Sequence, residues 1–415
     1  MTKRLSVIGL GKLGLCTMAC LAGAGYRVIG MDSDENHIVD LNSGKINNPE
    51  PGLIDILKAG DPDIRFTSDI DYAVTDSEIS FIIVPTPSNG DGAFSNRYIM
   101  DVFTKAAPVI KKKSGYHLIN IVSTVMPGSF DNEFIPFIEK ITGKRVGREI
   151  GLTYNPEFIA LGSVIENFLN PDLVLIGESD QKSGNLLAEI YSNVCHNTPS
   201  IQQTSIPNAE IVKLAINCFC TMKISFANQI GAICDRVQGT NASEICTILG
   251  HDTRIGHKYI KPGLGFGGPC FPRDNEAFIR FTKDAVDKES SLQKAVIDIN
   301  NEQIKRVADK IIAVCGDKKR KIALLGAAYK PGTSVTERSQ ALDIINYLTE
   351  NYPELRVSVY DPQALTKGRW ETAETLKDCV KNADIAAVLT PWPEFLSVPW
   401  QAWMAEEHTI LNFWE

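Results

Sequence analysis

Residues 4–14 read RLSVIGLGKLG, in which an apolar run of the strand type meets three glycines in the spacing G-x-G-x-x-G. Gly9 permits a tight turn, Gly11 lets the backbone approach a pyrophosphate, and Gly14 lets the following helix pack closely on the strand. The N-terminus of that helix offers unsatisfied N–H groups and a positive dipole end to phosphates. This stretch predicts the first β-α unit of a dinucleotide-binding domain.

The residues around this turn indicate which dinucleotide it would hold. Lys12 and Leu13 stand between the second and third glycines, where the predicted helix starts. Asp32 ends the next predicted strand, and a carboxylate there suits the two ribose hydroxyls of NAD and repels the phosphate of NADP. Thr86 and Thr124 stand where two further strands should end, at the edge of such a sheet that binds ligands, although either could be a plain turn hydroxyl. The pattern predicts NAD as the cofactor.

A second series of strands and helices lies near the C-terminus. Residues 320–333 (RKIALLGAAYKPGT) predict a strand that meets a turn, and a helical stretch around residues 339–348 follows. The next predicted strand ends at Asp361, and residues 384–395 (DIAAVLTPWPEF) close the series. Short apolar strands that alternate with helical patterns are typical of parallel, doubly wound sheets.

A long helical segment separates the two series. Residues 208–237 carry apolar residues at helical spacing without a proline, which predicts a helix long enough to connect two domains. Its apolar face is broader than one neighbour covers, which favours a subunit interface. We therefore expect an α/β protein with Rossmann-like domains at residues 1–200 and 301–415. A long central helix and a helical dimerisation region, residues 201–300, would join them.

The bulk composition excludes several classes of protein. The 415 residues carry a formal net charge of −8, which argues against nucleic acid as the main partner. No unbroken apolar run reaches the length of a membrane span. The ten cysteines and six histidines show no metal-type spacing, so we expect reduced thiols and no metal site. The N-terminus enters the glycine motif directly rather than through a signal peptide, which favours a cytoplasmic protein.

One cysteine stands apart from the other nine. Residues 261–274 read KPGLGFGGPCFPRD, which places Cys270 on a tight glycine-rich turn at the start of a predicted helix. A thiolate there would be stabilised by backbone N–H groups and by the helix dipole. Asp274 follows one helical turn later and could reach the same site. We expect the other nine cysteines to be inert residues of the core.

A cysteine that acts beside a nicotinamide permits two successive oxidations. Loss of a hydride turns an alcohol into an aldehyde, and attack by the Cys270 thiolate then gives a thiohemiacetal. Loss of a second hydride gives a thioester, and water releases the acid. A simple alcohol dehydrogenase needs no such nucleophile.

Further motifs follow the glycine turn in the order LNSGKINNPEPGL, VPTPSNGDG, STVMPGS, NPEF, AEIVKLAINCFCTMKISFANQI, RIGHKYIKPGLGFGGPCFPRD, GAAYKPGT, YDP and WPEF. Together and in this order, these motifs resemble the UDP-glucose/GDP-mannose dehydrogenase family over nearly the whole chain. The resemblance implies an NAD-dependent, four-electron oxidation of the C6 primary alcohol of a nucleotide sugar. GFGGPCFPRD is closest to the UDP-glucose subgroup, so UDP-glucose and its product UDP-glucuronate are favoured over a UDP-N-acetylhexosamine or GDP-mannose.

The resemblance also implies roles for individual residues. Cys270 would be the nucleophile, and Lys213 and Asn217 would contact the substrate and stabilise the oxyanion. Asp274 would transfer a proton through a water. Glu157, together with Thr124, would order the hydrolytic water or act as the base in thioester cleavage. Further substrate contacts would come from Glu157, Phe158, Ile159, Tyr259, Phe266, Gly267 and Lys330, and from Arg254, which would enter the site of the other subunit of a homodimer.

The chain departs from the family pattern at a few positions. Leu161 stands where an acidic residue follows NPEF in the family, and Glu337 stands where an arginine is expected to help hold NAD. Arg338, displaced by one position, is then the remaining candidate for that contact. Pro269 and Arg273 flank the cysteine turn in place of a small residue and a lysine.

Two other functions are compatible with parts of the sequence. A hydroxyacid dehydrogenase of the 6-phosphogluconate type would share the glycine motif and the long helix, but it has no use for Cys270 or for a second α/β domain. A non-catalytic sugar-nucleotide-binding protein would fit the changes at Leu161 and Glu337. Against that second reading, the chain keeps all four residues of the core reaction, namely Cys270, Asp274, Lys213 and Asn217.

Overall fold

The glycine-rich stretch opens the first of two units, Met1–Lys213 and Leu214–Glu415, in the computed structural model of the chain. The structure describes residues 3–59, 64–159, 162–316, 320–364 and 366–414. Among these residues, no helix is both long and apolar enough to cross a membrane.

The first unit is built on an eight-stranded sheet with the strand order β3-β2-β1-β4-β5-β6-β7-β8. The first six strands follow the order of a doubly wound dinucleotide-binding sheet, as predicted. All neighbouring strands are parallel except β6 and β7, which pair antiparallel. In chain order the strands are β1 Arg4–Ile8, β2 Arg27–Met31, β3 Arg65–Thr67, β4 Ile79–Ile82, β5 His117–Ile121, β6 Ile150–Tyr154, β7 Leu173–Glu178 and β8 Ser200–Ser205.

Helices cover both faces of this sheet, and each face has its own apolar core. Leu5 and Val7 of β1 belong to one core, whereas Ile8 belongs to the other, as the alternation of side chains along a strand requires. The helices are α1 Lys12–Gly23, α2 Glu35–Asn42, α3 Leu53–Ala59, α4 Ile70–Thr75, α5 Arg97–Lys112, α6 Ile135–Thr142, α7 Val164–Leu169 and α8 Gln181–Val194, with one π-helical turn at Phe130–Phe134.

The predicted long helix is α9, Ile206–Cys234, with 29 residues. It begins two residues before the predicted start, because Pro207 lies in its first turn, where a missing N–H costs nothing. The boundary between the two units falls inside α9, after Lys213. The division into residues 1–200, 201–300 and 301–415 stays a prediction.

The second unit contains a five-stranded, all-parallel sheet with the strand order β11-β10-β9-β12-β13. This is the second Rossmann-like sheet that the sequence predicts. Its strands are β9 Lys321–Leu325, β10 Arg356–Tyr360, β11 Glu371–Thr372, β12 Ile385–Val388 and β13 Thr409–Asn412. The helices of the unit, after α9, are α10 Ala242–His251, α11 Phe271–Val286, α12 Ser291–Cys315, α13 Gln340–Asn351, α14 Leu376–Val380 and α15 Trp400–Trp403, with a 3-10 turn at Pro393–Ser397.

The strand series at the C-terminus does not close at residues 384–395, as the sequence reading expects. Strand β13 follows at the sheet edge, where it pairs with β12 only. It has four residues, none of which is fully buried, so it lacks the buried apolar run of its neighbour β12. Strand β8 was missed for a similar reason, since its sequence SIQQTS is mostly polar and exposed.

Candidate active site

The three glycines of the first turn differ in the space that a side chain would have. Gly9 has φ +96°, and a Cβ there would lie 2.3 Å from the carbonyl oxygen of Ile83. A Cβ on Gly14 would lie 1.8 Å from the carbonyl oxygen of Gly9. A Cβ on Gly11 would meet no described atom within 4 Å. The fold itself therefore dictates Gly9 and Gly14, whereas the space beside Gly11 is open to a ligand.

The helix that follows is prepared to bind an anion. Gly11 is the N-cap of α1, and no side chain of the described residues caps this end. The first N–H groups of a helix, here those of Lys12, Leu13 and Gly14, have no acceptor within the helix, and the dipole is positive there. The open space at Gly11 and these donors fit the pyrophosphate of a dinucleotide.

Asp32 directly follows β2 and is held against the glycine turn. Its Oδ2 accepts the N–H of Leu10 at 2.8 Å, and its Oδ1 accepts the N–H of Asp34 at 3.0 Å. These bonds fix a half-buried carboxylate beside the turn, with lone pairs left for ribose hydroxyls. His37, which the sequence did not single out, supports the same turn, with Nε2 3.0 Å from the carbonyl oxygen of Leu10.

Thr86 and Thr124 lie together in the loops after β4 and β5. The Thr86 hydroxyl donates to the carbonyl oxygen of Thr124 at 2.6 Å. Ser123 joins the same two loops, because its hydroxyl accepts the N–H of Val84 at 2.9 Å and donates to the carbonyl oxygen of Val84 at 2.7 Å. The two threonines thus mark the carboxyl edge of the sheet, where doubly wound folds bind ligands.

Glu157 follows β6 and contacts Lys213 through its backbone. The Lys213 ammonium donates to the carbonyl oxygen of Glu157 at 2.6 Å and lies 4.7 Å from the ring centroid of Phe158. The Glu157 carboxyl oxygen Oε1 lies 2.8 Å from the hydroxyl of Tyr191. Burial raises the pKa of Glu157 to about 7. Ile159 follows and packs on the adjacent core.

The segment after NPEF is anchored by a residue that the sequence reading missed. The carboxylate of Glu50 accepts the N–H of Gly162 at 3.1 Å and the N–H of Val164 at 2.5 Å, so it caps the start of α7. Glu50 belongs to the motif LNSGKINNPEPGL, and an acidic residue in a motif without a strand or helix pattern was the available signal. Leu161, which replaces the acid of the family, lies outside the described residues.

In the second unit, Cys270 is the N-cap residue of α11, and it is exposed. Its carbonyl oxygen accepts the N–H of Asp274 at 2.8 Å. Gly268 before it has φ +82°, and a Cβ there would lie 2.6 Å from ring atoms of Tyr329. The tight turn and the helix N-terminus that were predicted for this thiol are both present.

Asp274 is paired with Asn217 of α9. The Asn217 amide donates to Oδ2 of Asp274 at 2.6 Å. Asp274 is only 1% exposed, and its Oδ1 accepts no hydrogen bond from the described residues, with Arg273 Nε 3.6 Å away. The structure therefore joins two of the predicted catalytic residues and leaves one buried carboxylate oxygen with lone pairs for a water or a substrate.

Three amide side chains hold the glycine-rich loop before Cys270. The Asn228 amide accepts the N–H of Gly263 at 2.9 Å and donates to the carbonyl oxygen of Leu264 at 3.1 Å. The Asn300 amide makes the same pair of bonds with Phe266, at 2.7 and 3.0 Å, and Gln303 donates to Gly263. Polar residues at buried positions of long helices were the signal that the sequence offered for these anchors.

The other predicted residues of the second unit lie in different surroundings. Phe266 is buried, and a Cβ on Gly267 would lie 2.3 Å from the carbonyl oxygen of Arg338. Tyr259 is exposed and has φ +66°, and Lys330 is half-buried. The Arg254 guanidinium pairs with Asp252 of its own turn at 2.6 Å.

Arg338 forms an ion pair with Glu276 at 2.6 Å and has φ +49°. Glu337 beside it is exposed. A contact between Arg338 and NAD stays a prediction, and so do the substrate contacts of Arg254, Tyr259 and Lys330.

The glycine turn after β1 and the turn after β9, at Gly326, each lie beside an aspartate, but the two aspartates differ in what they can still bind. Asp361 follows β10 as Asp32 follows β2, but its Oδ2 already accepts the N–H groups of Ala327 and Ala328 at 2.8 and 2.9 Å and the indole N–H of Trp392 at 3.2 Å. Its Oδ1 accepts two further backbone N–H groups. The carboxylate of Asp361 is therefore already used by donors of the protein, and of these two turns it is the first that fits NAD.

Comparison with known proteins identifies three domains along the chain. The descriptions that match are all of the UDP-glucose/GDP-mannose dehydrogenase family: its NAD binding domain over residues 3–195, its central domain over residues 207–302 and its UDP binding domain over residues 323–413.

Individual relatives cover nearly the whole chain. UDP-glucose 6-dehydrogenase AglM of Haloferax volcanii is 34% identical over 95% of this chain and 92% of its own length. GDP-mannose 6-dehydrogenase of Pseudomonas aeruginosa is 34% identical over 85% of this chain and 80% of its own. The solved structure of a UDP-glucose dehydrogenase from Pyrobaculum islandicum superposes with a TM-score of 0.87, at 29% identity, over 100% of this chain and 95% of that one.

The matched NAD binding domain contains the glycine turn, the uncapped helix and Asp32, so the predicted cofactor is confirmed. With all three domains matched in order, the chain belongs to the UDP-glucose/GDP-mannose dehydrogenase family and uses NAD.

Proposed function

We propose that the protein oxidises the C6 primary alcohol of a nucleotide sugar to a carboxylate through a thioester on Cys270. The observation that carries the proposal is the exposed thiol at the N-terminus of α11, with the bonded pair Asn217 and Asp274 one helical turn further in. A thiol at a helix N-terminus is stabilised as the thiolate, which is the nucleophilic form. A cytoplasmic, reducing location is part of the proposal, because the reaction consumes no disulfide and needs this thiol reduced.

NAD, when bound on the glycine turn, would accept one hydride in each of the two oxidations, so two NAD molecules would be reduced per alcohol. The Cys270 thiolate adds to the aldehyde carbon and forms a C–S bond, which gives the thiohemiacetal. Oxidation of the thiohemiacetal leaves a thioester. Water then adds to the thioester carbonyl, the C–S bond breaks, and the carboxylate leaves with Cys270 restored as the thiolate.

The polar residues around these steps supply charge and move protons. We assign Asp274 to proton transfer through a water, since its buried Oδ1 has lone pairs that the described residues leave unused. Asn217 fixes that carboxylate and, with Lys213, donates to the oxyanion that forms as the thiolate adds. Lys213 and Asn217 are four residues apart on α9, which places them on one face of the helix. Glu157 and Thr124 act in the hydrolysis of the thioester.

UDP-glucose is the proposed substrate, with UDP-glucuronate as the product. Relatives named UDP-glucose 6-dehydrogenase and the match of residues 323–413 to a UDP binding domain support this choice. A relative named GDP-mannose 6-dehydrogenase is as similar in identity, so GDP-mannose and UDP-N-acetylhexosamines belong in the same substrate panel.

We further propose that the protein acts as a homodimer. An apolar stripe on α9 is formed by Phe219, Phe226 and Ile233, whose side chains are 60%, 45% and 52% exposed. Seven-residue spacing places these three residues on one face of the helix, as in helices that pack against a second copy. Arg254 would then contribute to the site of the partner subunit.

The experiment that tests the function measures NADH formed per sugar nucleotide consumed, with purified protein, NAD and the substrate panel. The proposal expects two NADH per uronic acid and no turnover after Cys270→Ala. Cys234→Ala, at the end of α9, is the matched control and should keep the wild-type stoichiometry. One NADH per product, with turnover that survives Cys270→Ala, would contradict the thioester route.

A further inference from the structure

A buried chain of polar side chains crosses the first sheet and ends at Glu157. The Thr153 hydroxyl donates to Oδ1 of Asn120 at 2.9 Å, and the Asn120 amide lies 3.4 Å from Oδ1 of Asn155. The Asn155 amide nitrogen donates to the carbonyl oxygen of Leu175 at 2.9 Å. A carbonyl oxygen can only accept, so the NH₂ group of Asn155 must face Leu175 and its Oδ1 must face the other way.

Tyr191 of α8 lies between that oxygen and Glu157. Its hydroxyl oxygen is 2.5 Å from Oδ1 of Asn155 and 2.8 Å from Oε1 of Glu157. Burial, together with the charge of Glu157, raises the pKa of Tyr191 well above its ordinary value, so the hydroxyl keeps its hydrogen. The Tyr191 hydroxyl has one hydrogen and can donate it to only one of these two oxygen atoms. In the other contact, Tyr191 must be the acceptor and the neighbouring residue must supply the hydrogen.

Asn155 has no hydrogen to give to Tyr191, because its donors face Leu175. The second hydrogen must come from Glu157. We propose that Tyr191, with its hydroxyl committed to Asn155, is a positioning residue that holds Glu157 in the neutral form as a hydrogen-bond donor. Ionised Glu157 would turn the Tyr191 hydrogen towards itself, and Oδ1 of Asn155 would then face a bare oxygen at 2.5 Å in a buried setting.

The other groups around Glu157 do not supply that hydrogen. The Lys213 ammonium bonds to the backbone carbonyl of Glu157 and favours the ionised carboxylate by its charge. Cys20 of α1 and Cys195 after α8 also face Glu157, and burial raises their pKa to about 12 and about 11, so both are neutral thiols. Burial outweighs the charge of Lys213 and raises the pKa of Glu157 to about 7. The hydrogen-bond chain from Asn155 adds a separate, geometric reason for the neutral form.

The consequence for the reaction rests on the proposed role of Glu157 in thioester hydrolysis. Neutral Glu157 must release its proton to solvent before it can take one from the attacking water. Water then forms the C–O bond, the proton moves to the Glu157 carboxylate, the C–S bond breaks, and Cys270 leaves as the thiolate. The Asn155–Tyr191 pair, together with burial, thereby raises the pH above which Glu157 works as a base.

The protonation of Glu157 can be measured without turnover. Carbon-13 NMR of protein labelled at the glutamate δ-carbon would follow its titration, with the signal assigned by its loss in Glu157→Gln. Glu210 is the matched control for assignment, because burial also raises its pKa to about 7, and Glu210→Gln removes that second signal. In the wild type, Glu157 should titrate near pH 7.

Asn155→Ala should lower this midpoint by about one pH unit, because the Tyr191 hydrogen is released to the carboxylate, a change the size of one hydrogen bond. Asn155→Ala with Tyr191→Phe should return it upwards. Tyr191→Phe alone, which changes a single atom and leaves the Leu175 contact intact, should lower the midpoint or leave it in place. A midpoint unchanged in Asn155→Ala, or raised in Tyr191→Phe, would mean that Tyr191 already donates to Glu157, and the inference would be wrong.

A pH profile of kcat separates this inference from the proposed function. If both are correct, the acidic limb of kcat moves with the NMR midpoint across the same variants. If the midpoints shift as expected and the limb does not follow, the proton placement stands and the role of Glu157 in hydrolysis is wrong.

Discussion

The Asn217 amide donates to the Asp274 carboxylate at 2.6 Å, so a residue of the long helix α9 positions a carboxylate one turn after Cys270. Asp274 is 1% exposed, so its carboxylate depends on hydrogen bonds from the protein rather than from bulk water. We expect Asp274→Asn to lower kcat by about 10²- to 10⁴-fold, the usual contribution of a group that transfers protons, with little change in KM.

Steady-state kinetics with UDP-glucose and NAD would measure this effect. Asp284→Asn is the control, because Asp284 also lies on α11 and its carboxylate also accepts a side-chain hydrogen bond, from Arg280 at 2.8 Å. An Asp274→Asn enzyme with wild-type kcat would remove Asp274 from the proton transfer steps.

Substitutions in the glycine turn should separate an effect on NAD affinity from an effect on the free energy of unfolding. Gly11→Ala adds a methyl group where no described atom lies within 4 Å, so the free energy of unfolding should change by less than about 1 kcal/mol. The same methyl group occupies the space proposed for the pyrophosphate, and the Kd for NAD should rise at least about tenfold. Gly14→Ala instead places Cβ 1.8 Å from a backbone oxygen and should lower the free energy of unfolding by about 3 kcal/mol.

Chemical unfolding and calorimetric titration with NAD would test both variants. Gly25→Ala, where no described atom lies within 4 Å but φ is +85°, measures the cost of backbone strain by itself. Equal NAD affinity in Gly11→Ala and wild type would argue against pyrophosphate binding at this turn.

Cys270 should react with iodoacetamide faster than any other cysteine. It is exposed at a helix N-terminus, whereas burial raises the pKa of Cys16, Cys20 and Cys379 to about 12 and keeps them as thiols. Mass spectrometry after brief labelling at pH 7.5 should find one modified peptide, the one that contains Cys270. The Cys270→Ala protein should yield no modified peptide. Rapid labelling at a different cysteine would contradict the assignment.

His117 should make the protein less stable in acid. Its ring is fully buried, with Nδ1 3.1 Å from the Lys113 ammonium and Nε2 3.0 Å from the Ser80 hydroxyl. Burial, and next the charge of Lys113, lower the His117 pKa to about 3. Between pH 3 and 6.5 the unfolded chain therefore binds a proton that the folded chain does not, so stability rises with pH in this range and is fully present above it.

Urea unfolding at pH 7.5, 6.0 and 5.0 would measure this loss. His117→Gln should be less stable at pH 7.5 but should lose less between pH 7.5 and 5.0 than the wild type does. His196→Gln, at an exposed position, should follow the wild-type curve. Parallel curves for His117→Gln and the wild type would assign the acid sensitivity to other groups.

The sequence predicted the parts of the fold that local rules determine. A Cβ on Gly14 would lie 1.8 Å from the carbonyl oxygen of Gly9, so this constraint exists wherever the β-α unit forms. The place of Cys270 at the start of α11 follows in the same way from a dense run of glycines before helix-forming residues. Such features need only neighbours in the chain, which is why they can be read from it.

The sequence did not predict partners that are distant in the chain. Glu50 bonds to Gly162 and Val164, and Asn300 bonds to Phe266, over separations of more than thirty residues. Tyr191 meets Glu157 only because α8 packs beside the end of β6, and its own segment carries no motif. Edge strand β13 was missed because a strand that pairs on one side needs no continuous apolar run.

The proposed dimer can be tested by a substitution that prevents dimerisation and leaves the fold of each chain intact. Phe226→Lys places a charge in the middle of the apolar stripe of α9 and should convert the dimer to a monomer in light scattering coupled to gel filtration. Val286→Lys, at an exposed apolar position of α11 outside the stripe, should leave the mass unchanged.

If Arg254 acts in the partner's site, two inactive proteins should restore each other. An Arg254→Ala chain keeps Cys270, and a Cys270→Ala chain supplies Arg254, so one site of each mixed dimer is complete. Random reassortment of equal amounts should recover about a quarter of the wild-type activity, since half of the dimers are mixed and each has one working site. Recovery should be absent when both chains also carry Phe226→Lys. Activity in the Arg254→Ala protein alone, or no recovery on mixing, would show that Arg254 does not complete a neighbouring site.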